Sequence, residues 1–375
     1  MSKLTSAPAA GGSNLSRRTL LGVGTAALAG VAMPGVLRAQ GLRKVTFTLA
    51  FIPQGSSLYT NVAQAKGFWR KRGLDVEIAS NQGSLASAQA VGTGRFQFGL
   101  VQIPTVILNV AKGLPIVAVG LPSYRVGTGL LVLRSSDIRK PSQLEGRKLG
   151  FAGGHGATIL FPLYCKRMGI DEKSIQGTQI DQKVLDAALE QQRVDAITIV
   201  ATSNMPVFLS KNVPVRYFGF DEVGLDLYGL SLVTQKEIAE KDPELVQAFV
   251  DGLFEGVAYS LTNPDEALDI FIKAVPELAL TANGKDYSRY GFGMYAVTAL
   301  AEEARQLGLG AIDAKKLDGQ IDLVTEYMAP AGTRRPEASA VFNPAFAGRI
   351  KLSDAQWTAA NAFASPFARF LTNEG

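Results

Sequence analysis

The chain has 375 residues, of which 47% are hydrophobic and 19% charged, values typical of a folded globular protein. At this length two packed lobes are expected rather than one large core. Four of the 38 basic residues (Lys3, Arg17, Arg18 and Arg38) lie near the N-terminus, and the other 34 face 33 acidic residues, which excludes a general attraction to nucleic acid.

Residues 1–39 have the pattern of a signal peptide for the twin-arginine export machinery. Arg17 and Arg18 stand in a polar stretch, and the apolar run that follows is rich in Ala and Gly. That run is too short and too often interrupted by Gly and Pro for a membrane span. We expect cleavage after Ala39 and a periplasmic protein without a lipid anchor, because the only cysteine, Cys165, lies far from this segment.

Strand-like and helix-like segments alternate from residue 44 onward. The β-branched and aromatic runs predict strands at 45–51, 74–78 and 96–101. Helical spacing predicts helices over 58–72 and 84–91. Short connections and this alternation indicate an α/β fold, with a mainly parallel sheet flanked by helices.

The same order of elements occurs twice along the chain. Gly73-Leu74-Asp75 recurs as Gly169-Ile170-Asp171, and Arg95 before one strand recurs as Arg193, 98 residues later. Two matched units of this kind predict two similar lobes, although shared α/β packing produces some similarity by itself.

Two apolar strands flank the second unit and are the predicted crossings between the lobes, at 130–133 and 228–233. They define lobe one as 42–128 plus 232–375 and lobe two as 129–231. Beyond the second crossing the pattern predicts helices over 244–274, 295–307 and 314–328, and an irregular segment over 330–344.

Several motifs, in this order and spacing, carry a resemblance: Ala65-Lys66-Gly67-Phe68-Trp69, Arg72-Gly73-Leu74-Asp75-Val76, Lys112-Gly113-Leu114-Pro115, Pro141 to Lys148, and Arg193-Val194-Asp195-Ala196. The chain resembles ABC-importer binding proteins of the nitrate, sulfonate, taurine and thiamine-pyrimidine-precursor class over about 42–330. The resemblance implies a two-lobed type II periplasmic-binding fold that closes on a small ligand in the interlobe cleft. It also implies a permease and its ATPase as partners, and we expect a monomer without metal or cofactor.

Ligands of parallel α/β sheets bind where strand ends meet helix N-termini, so the loops at those positions predict the site. The lobe-one candidates are Phe51, Gln54, Gly55, Ser56, Ser57, Tyr59, Gln82, Gly83, Ser84 and Gln102. The lobe-two candidates are His155, Gly156, Ala157, Thr158, Ser203 and Asn204, of which Gly156 to Thr158 are carried over from the family. Tyr124 and Tyr228 lie near the crossings, and the sequence leaves open whether they stack on the ligand or pack the hinge. For Arg125, beside the first crossing, the alternatives are pairing with an anionic ligand and exposure to solvent.

The predicted function is capture of a small organic anion, a sulfonate or carboxylate, for delivery to the permease. A thiamine pyrimidine precursor or a similar heteroaromatic is the alternative ligand. The same fold includes a cytosolic pyrimidine synthase that uses pyridoxal phosphate and iron and carries a cysteine-rich run. One His and one Cys argue against such an enzyme here, whereas a periplasmic sensor with the same cleft remains a further alternative.

Overall fold

The computed structural model describes residues 41–153 and 156–372, so the predicted signal peptide and His155 lie outside the described residues. The strands in this part of the chain are β1 (Arg43–Thr48), β2 (Leu74–Ala79), β3 (Phe98–Gln102), β4 (Ile116–Gly120), β5 (Thr128–Leu133), β6 (Lys148–Phe151), β7 (Gln176–Gln179), β8 (Ala196–Val200), β9 (Val215–Gly219) and β10 (Leu230–Gln235).

These strands form two five-stranded sheets with the same topology. Sheet one has the order β2-β1-β3-β10-β4, and sheet two has the order β7-β6-β8-β5-β9. In each sheet four strands share one direction, and a single antiparallel strand, β10 or β5, lies between the third and fourth of them. The α/β, two-lobed prediction is confirmed: below, lobe one is sheet one with its helices, and lobe two is sheet two with its helices.

The helices of the two repeated units are α1 (Leu58–Ala65), α2 (Ser84–Gly92), α3 (Ile103–Ala111), α4 (Gly156–Met168), α5 (Gln182–Glu190) and α6 (Ala201–Ser210). The helices after β10 are α7 (Lys236–Lys241), α8 (Pro243–Thr262), α9 (Pro264–Ala274), α10 (Pro276–Ala279), α11 (Gly284–Ala299), α12 (Glu302–Leu307), α13 (Ala314–Tyr327), α14 (Ala338–Val341) and α15 (Asp354–Ala368).

Three predicted helices have different bounds in the structure. The helix predicted over 58–72 ends at Ala65, since Gly67 takes the left-handed φ of +69° that favours glycine. The helix predicted over 244–274 is interrupted at Asn263, where Pro264 begins α9. The helix predicted over 295–307 is in fact α11 followed by α12, and α11 begins eleven residues earlier than predicted, at Gly284.

An aromatic cluster fills the core of lobe one. Phe249 of α8 stacks on Phe98 at 3.9 Å and on Trp69 at 5.1 Å, and it meets Phe47 edge-on at 5.2 Å. All four residues are almost fully buried. Their large apolar surface anchors α8 to sheet one, because aromatic side chains contribute most to burial per residue.

The C-terminal helices contact the second lobe as well as the first. Met294 of α11 and Phe367 of α15 belong to the same apolar cluster as Met205 and Phe208 of α6. The segment predicted to complete lobe one therefore also packs on lobe two. Within the described residues, none of the helices combines the length and apolarity needed to cross a membrane.

Candidate functional site

The candidate site lies at the carboxyl ends of strands from both sheets. In lobe one, β1 leads into the segment 49–57, and β3 runs directly into α3. In lobe two, β6 leads into α4, and β8 runs directly into α6. These ends approach each other at two points, one at Gln54 and one at Gln102. This is the edge at which parallel α/β sheets bind ligands.

Gln54 connects the two lobes through its side-chain amide. Its Oε1 accepts a hydrogen bond from the Ser203 hydroxyl at 3.1 Å, and its Nε2 donates to the Tyr287 hydroxyl at 3.2 Å. The backbone around it is fixed locally, because its N–H donates to the Ser57 hydroxyl and Ser57 donates back to its carbonyl. Gln54 is only 8% exposed, so this amide is held in place between the lobes.

Gln102 and Gly156 form the second approach between the lobes. A methyl group placed on Gly156, the first residue of α4, would lie 3.3 Å from Oε1 of Gln102. The backbone N–H of Gln102 donates to the Ser84 hydroxyl at 3.2 Å, which orders the end of β3. Glycine at 156 therefore lets the start of α4 come close to the amide of Gln102.

A half-buried acid, Asp186, lies behind Ser203. Asn204 donates from Nδ2 to Asp186 at 2.8 Å and accepts from the N–H of Val200 at 3.0 Å. Burial raises the pKa of Asp186 to about 6, and the hydrogen bond from Asn204 opposes that rise. Burial also raises the pKa of Tyr287 to about 12; its hydrogen bond with Gln54 opposes the rise, and the nearby charge of Asp186 adds to it.

Five of the lobe-one candidates are buried, and Gln54 is one of them. The other four are Gly55, Ser56, Ser57 and Tyr59. The backbone of Gly55 packs so closely on α11 that a methyl group there would collide with the carbonyl of Ser288. Tyr59 stacks on Tyr295 of α11, with the ring centroids 4.9 Å apart. We therefore place these residues beneath α11, and of this segment only the side chain of Gln54 reaches across to lobe two.

The first eleven residues of α11, which include Tyr287, have no predicted element, because the helical pattern of the sequence begins only at residue 295. The signal that could have found them is the glycine spacing of Tyr290-Gly291-Phe292-Gly293. Gly291 lies against the backbone of the 55–56 segment, and Gly293 lies against the ring of Phe367. Glycines on a helix surface permit such close approaches.

Tyr124 and Tyr228 pack the hinge region rather than facing the cleft. Their rings meet edge-on at 6.3 Å, and both residues are almost fully buried. The hydroxyl of Tyr124 accepts from the N–H of Gly310 at 3.0 Å, and that of Tyr228 donates to Glu303 at 2.6 Å. Because both hydroxyls are bonded within lobe one, we leave these tyrosines out of the proposed site.

The remaining candidates divide into two groups. Gln82, on the loop after β2, is exposed, and the next residue, Gly83, adopts a φ of +110°, which only glycine takes without strain. Phe51 is half-buried on the neighbouring loop. Ala157 is buried, and the hydroxyl of Thr158 turns into lobe two, where it donates to the carbonyl of Ala152.

The arrangement suits binding by hydrogen bonds to uncharged groups. Side-chain amides come from Gln54 and Gln102, hydroxyls from Ser84 and Ser203, and backbone donors from the start of α4. Amides both donate and accept hydrogen bonds, so such a set can bind a polar solute that carries donors, acceptors or both.

The chain is similar to known proteins of two kinds, one named as an enzyme and one named as a binding protein. The chain is 26% identical over 230 residues to a 4-amino-5-hydroxymethyl-2-methylpyrimidine phosphate synthase of Legionella pneumophila, covering 61% of this chain and 72% of that protein. It is 24% identical over 235 residues to a formylaminopyrimidine-binding protein of Halalkalibacterium halodurans, covering 62% and 71%.

A solved structure shows the same fold. The alkanesulfonate-binding protein SsuA of Xanthomonas axonopodis pv. citri, bound to MOPS, superposes with a TM-score of 0.62 at 16% identity, covering 80% of this chain and 98% of that one. The sequence pattern of the family described as "NMT1/THI5 like" matches residues 55–267, more than half of the chain. The chain therefore belongs to the NMT1/THI5-like family.

Proposed function

We propose that the protein is the solute-binding component of an ABC importer, which captures a small organic solute between its lobes and delivers it to a permease. The observation that carries the proposal is the pair of interlobe approaches, Gln54 to Ser203 and Gln102 to Gly156, at the carboxyl ends of two matched sheets. Closure of two such lobes around a bound solute is a hinge motion.

The first solute class that we propose is a small organic anion, a sulfonate or carboxylate. The first turn of α4 begins at Gly156. The backbone N–H groups of the first turn of a helix have no partner within the helix, and the positive end of the helix dipole favours negative charge. The amide of Gln54, which donates one hydrogen to Tyr287, adds a neutral donor on the other side of the cleft. SsuA, which shares the fold, binds an alkanesulfonate.

A second solute class is favoured by a specific observation, the half-buried acid Asp186 behind Ser203. Asp186 lies near Tyr287, and its carboxyl group together with the oxygen of Gln54 offers acceptors to a ligand that carries N–H groups. An aminopyrimidine or a similar heteroaromatic has such donors. The relative from Halalkalibacterium halodurans is named for binding a formylaminopyrimidine.

The proposal makes the protein an exported receptor rather than an enzyme. The twin-arginine pattern of residues 1–39 supports export to the periplasm, and the polar groups gathered at the cleft are mainly amides and hydroxyls. Some relatives are named as pyrimidine phosphate synthases. A pyridoxal absorbance band in the purified protein would favour that enzymatic function over the proposed one.

The experiment is a thermal-shift screen of the purified protein with sulfonates, aliphatic and aromatic carboxylates, nitrate and pyrimidines. A ligand that binds only the folded state raises the melting temperature, so one class is expected to give a saturable rise. No rise with any class would contradict the proposal.

The solute found in the screen is then titrated into a Gln54→Ala variant by calorimetry. We expect its dissociation constant to rise about tenfold, because the ligand loses an amide partner and the lobes lose a bridging contact. Gln306→Ala is the matched control, since the side-chain amide of Gln306 donates to Glu302 within α12. An equal loss in both variants would remove Gln54 from the site.

A further inference from the structure

A cavity of about 150 Å³ lies inside lobe two, between α4 and the face of sheet two that this helix covers. Most of its lining is apolar and comes from Leu149, Phe151, Phe161, Pro162 and Ile175. Three of its lining residues, Pro162, Glu172 and Gly177, are exposed, so the cavity opens to solvent on one side. An apolar cavity of about this size is large enough for a single benzene ring.

The register of the strands explains why this space is empty in lobe two. In sheet one, Phe47 of β1 pairs with Ile78 of β2. At the same place in sheet two, Leu149 of β6 pairs with Gly177 of β7. A ring is replaced by a shorter aliphatic chain, and a branched side chain by a hydrogen atom. The volume that Phe47 and Ile78 occupy is therefore left open beneath α4.

Two hydroxyl groups in the cavity lining, those of Thr158 and Thr198, leave the cavity with a hydrogen-bond acceptor. Thr158 donates its only hydroxyl hydrogen to the carbonyl of Ala152 at 2.9 Å. The contact of 3.1 Å between Thr158 and Thr198 then requires Thr198 to be the donor. Because Thr198 has used its hydrogen, its Oγ can only accept from a further partner. Thr198 is 4% exposed, so such a partner has to come from inside the cavity.

We propose that this cavity is a second ligand site, which takes one small uncharged aromatic molecule that carries a single O–H or N–H donor, such as a phenol or an aniline. The ring fills the apolar space, and the donor is accepted by Oγ of Thr198. An aromatic carboxylate is excluded, because its charge would be buried among apolar side chains near the carboxylate of Glu172. The inference does not depend on which solute binds in the interlobe cleft.

The test is a ligand-observed NMR titration of the purified protein with phenol, benzene and benzoate. We expect saturable binding of phenol with a dissociation constant of about 1 mM or lower, weaker binding of benzene and none of benzoate. Thr198→Val removes the acceptor while it keeps the shape, so phenol is expected to bind about five- to tenfold more weakly and benzene as before.

A filling substitution locates the binding. Gly177→Ile reproduces the side chain that lobe one carries at this register and is expected to abolish phenol binding. Thr178→Ile, next to it on β7 but on the opposite face of the sheet, is the matched control and should leave phenol binding unchanged.

Three results would overturn the inference. The first is the absence of phenol binding to the wild-type protein. The second is phenol binding to Gly177→Ile with the affinity of the wild-type protein. The third is a loss of phenol binding in Gln54→Ala as large as that in Gly177→Ile, which would place the ring in the interlobe cleft. If Gly177→Ile does not fold, the contrast between phenol and benzene in Thr198→Val decides, because equal weakening of both would remove the hydrogen bond on which the assignment depends.

Discussion

The two lobes share one strand order but fill it with side chains of different size. In lobe one, Phe47 pairs with Ile78 on one side and with Phe98 on the other. In lobe two, Leu149 at the equivalent position pairs with Gly177 and Ala196. The residue four positions before the recurring glycine differs in the same way: it is the buried Trp69 before Gly73 and the buried Cys165 before Gly169.

This comparison shows that the topology of a sheet does not determine how densely its layers are packed. Lobe one receives Phe249 from α8, which comes after the second crossing and stacks on the aromatic residues of the sheet. The equivalent row of lobe two is made of small residues and leaves a cavity beneath α4. One lobe is thus a filled core, and the other has room for a small ligand.

The largest effect is expected from Phe249→Ala. Phe249 is fully buried and stacked between Phe98 and Trp69, so its truncation should lower the free energy of unfolding by about 3–5 kcal/mol. Leu149→Ala next to the existing cavity should cost about 2 kcal/mol, because that side chain already lacks neighbours on one side. Urea unfolding measures both, and equal losses would contradict the difference in packing.

The sequence predicted this architecture well, because the evidence lay in repeated local patterns. The matched arginines and glycines indicated two similar units, and β5 and β10 begin within two residues of the predicted crossings at 130 and 228. The packing of α11 on the 55–57 segment could not be predicted in this way. It joins residues more than 200 positions apart, and it depends on which face of that helix carries glycine.

The residues of the candidate site were predicted only in part, for the same reason. Strand ends and polar loops identify Gln54, Gln102 and Ser203 from local sequence. Neither the pairing of Gln54 with Tyr287 nor the burial of Asp186 has a local signal, because both come from elements that meet only in the folded chain.

Asp186 distinguishes the lobes electrostatically. It is the fifth residue of α5, and the fifth residue of α2 is the buried Ala88. Burial raises the pKa of Asp186 from 3.8 to about 6, so between these values the folded protein holds a proton that the unfolded chain has lost. Stability from this group is therefore highest below about pH 4 and falls as the pH rises through 6.

Asp186→Asn should remove this dependence and raise the free energy of unfolding at pH 7 by about 1–2 kcal/mol, less than the full shift because the residue retains some solvent contact. Denaturant unfolding of both proteins at pH 4, 5, 6 and 7 measures it. The surface variant Asp269→Asn is the control. If the free energy of unfolding changed between pH 4 and pH 7 by the same amount in the wild-type protein and in Asp186→Asn, the prediction would be contradicted.

Filling the cavity should make lobe two resemble lobe one. Gly177→Ile adds a side chain where a methyl group would lie 3.1 Å from the ring of Phe151, a distance that requires only a small movement of that ring. Filling of this kind is expected to raise the free energy of unfolding by about 1 kcal/mol. Thermal unfolding checks it, with Thr178→Ile as the control for the change in strand propensity; a lower melting temperature in Gly177→Ile alone would show that the space cannot accept the side chain.

The smallest effect is expected where the lobes meet. Gln54 and Ser203 share one hydrogen bond of 3.1 Å, so a double-mutant cycle with Gln54→Ala and Ser203→Ala should give a coupling of about 0.5–1 kcal/mol in unfolding free energy. Gln54 also bonds Tyr287, and the cycle separates the two contacts because Ser203→Ala leaves the second one intact. A coupling of zero would mean that the lobes are held together without this bond, by the packing of α11 on α6 through Met294 and its neighbours.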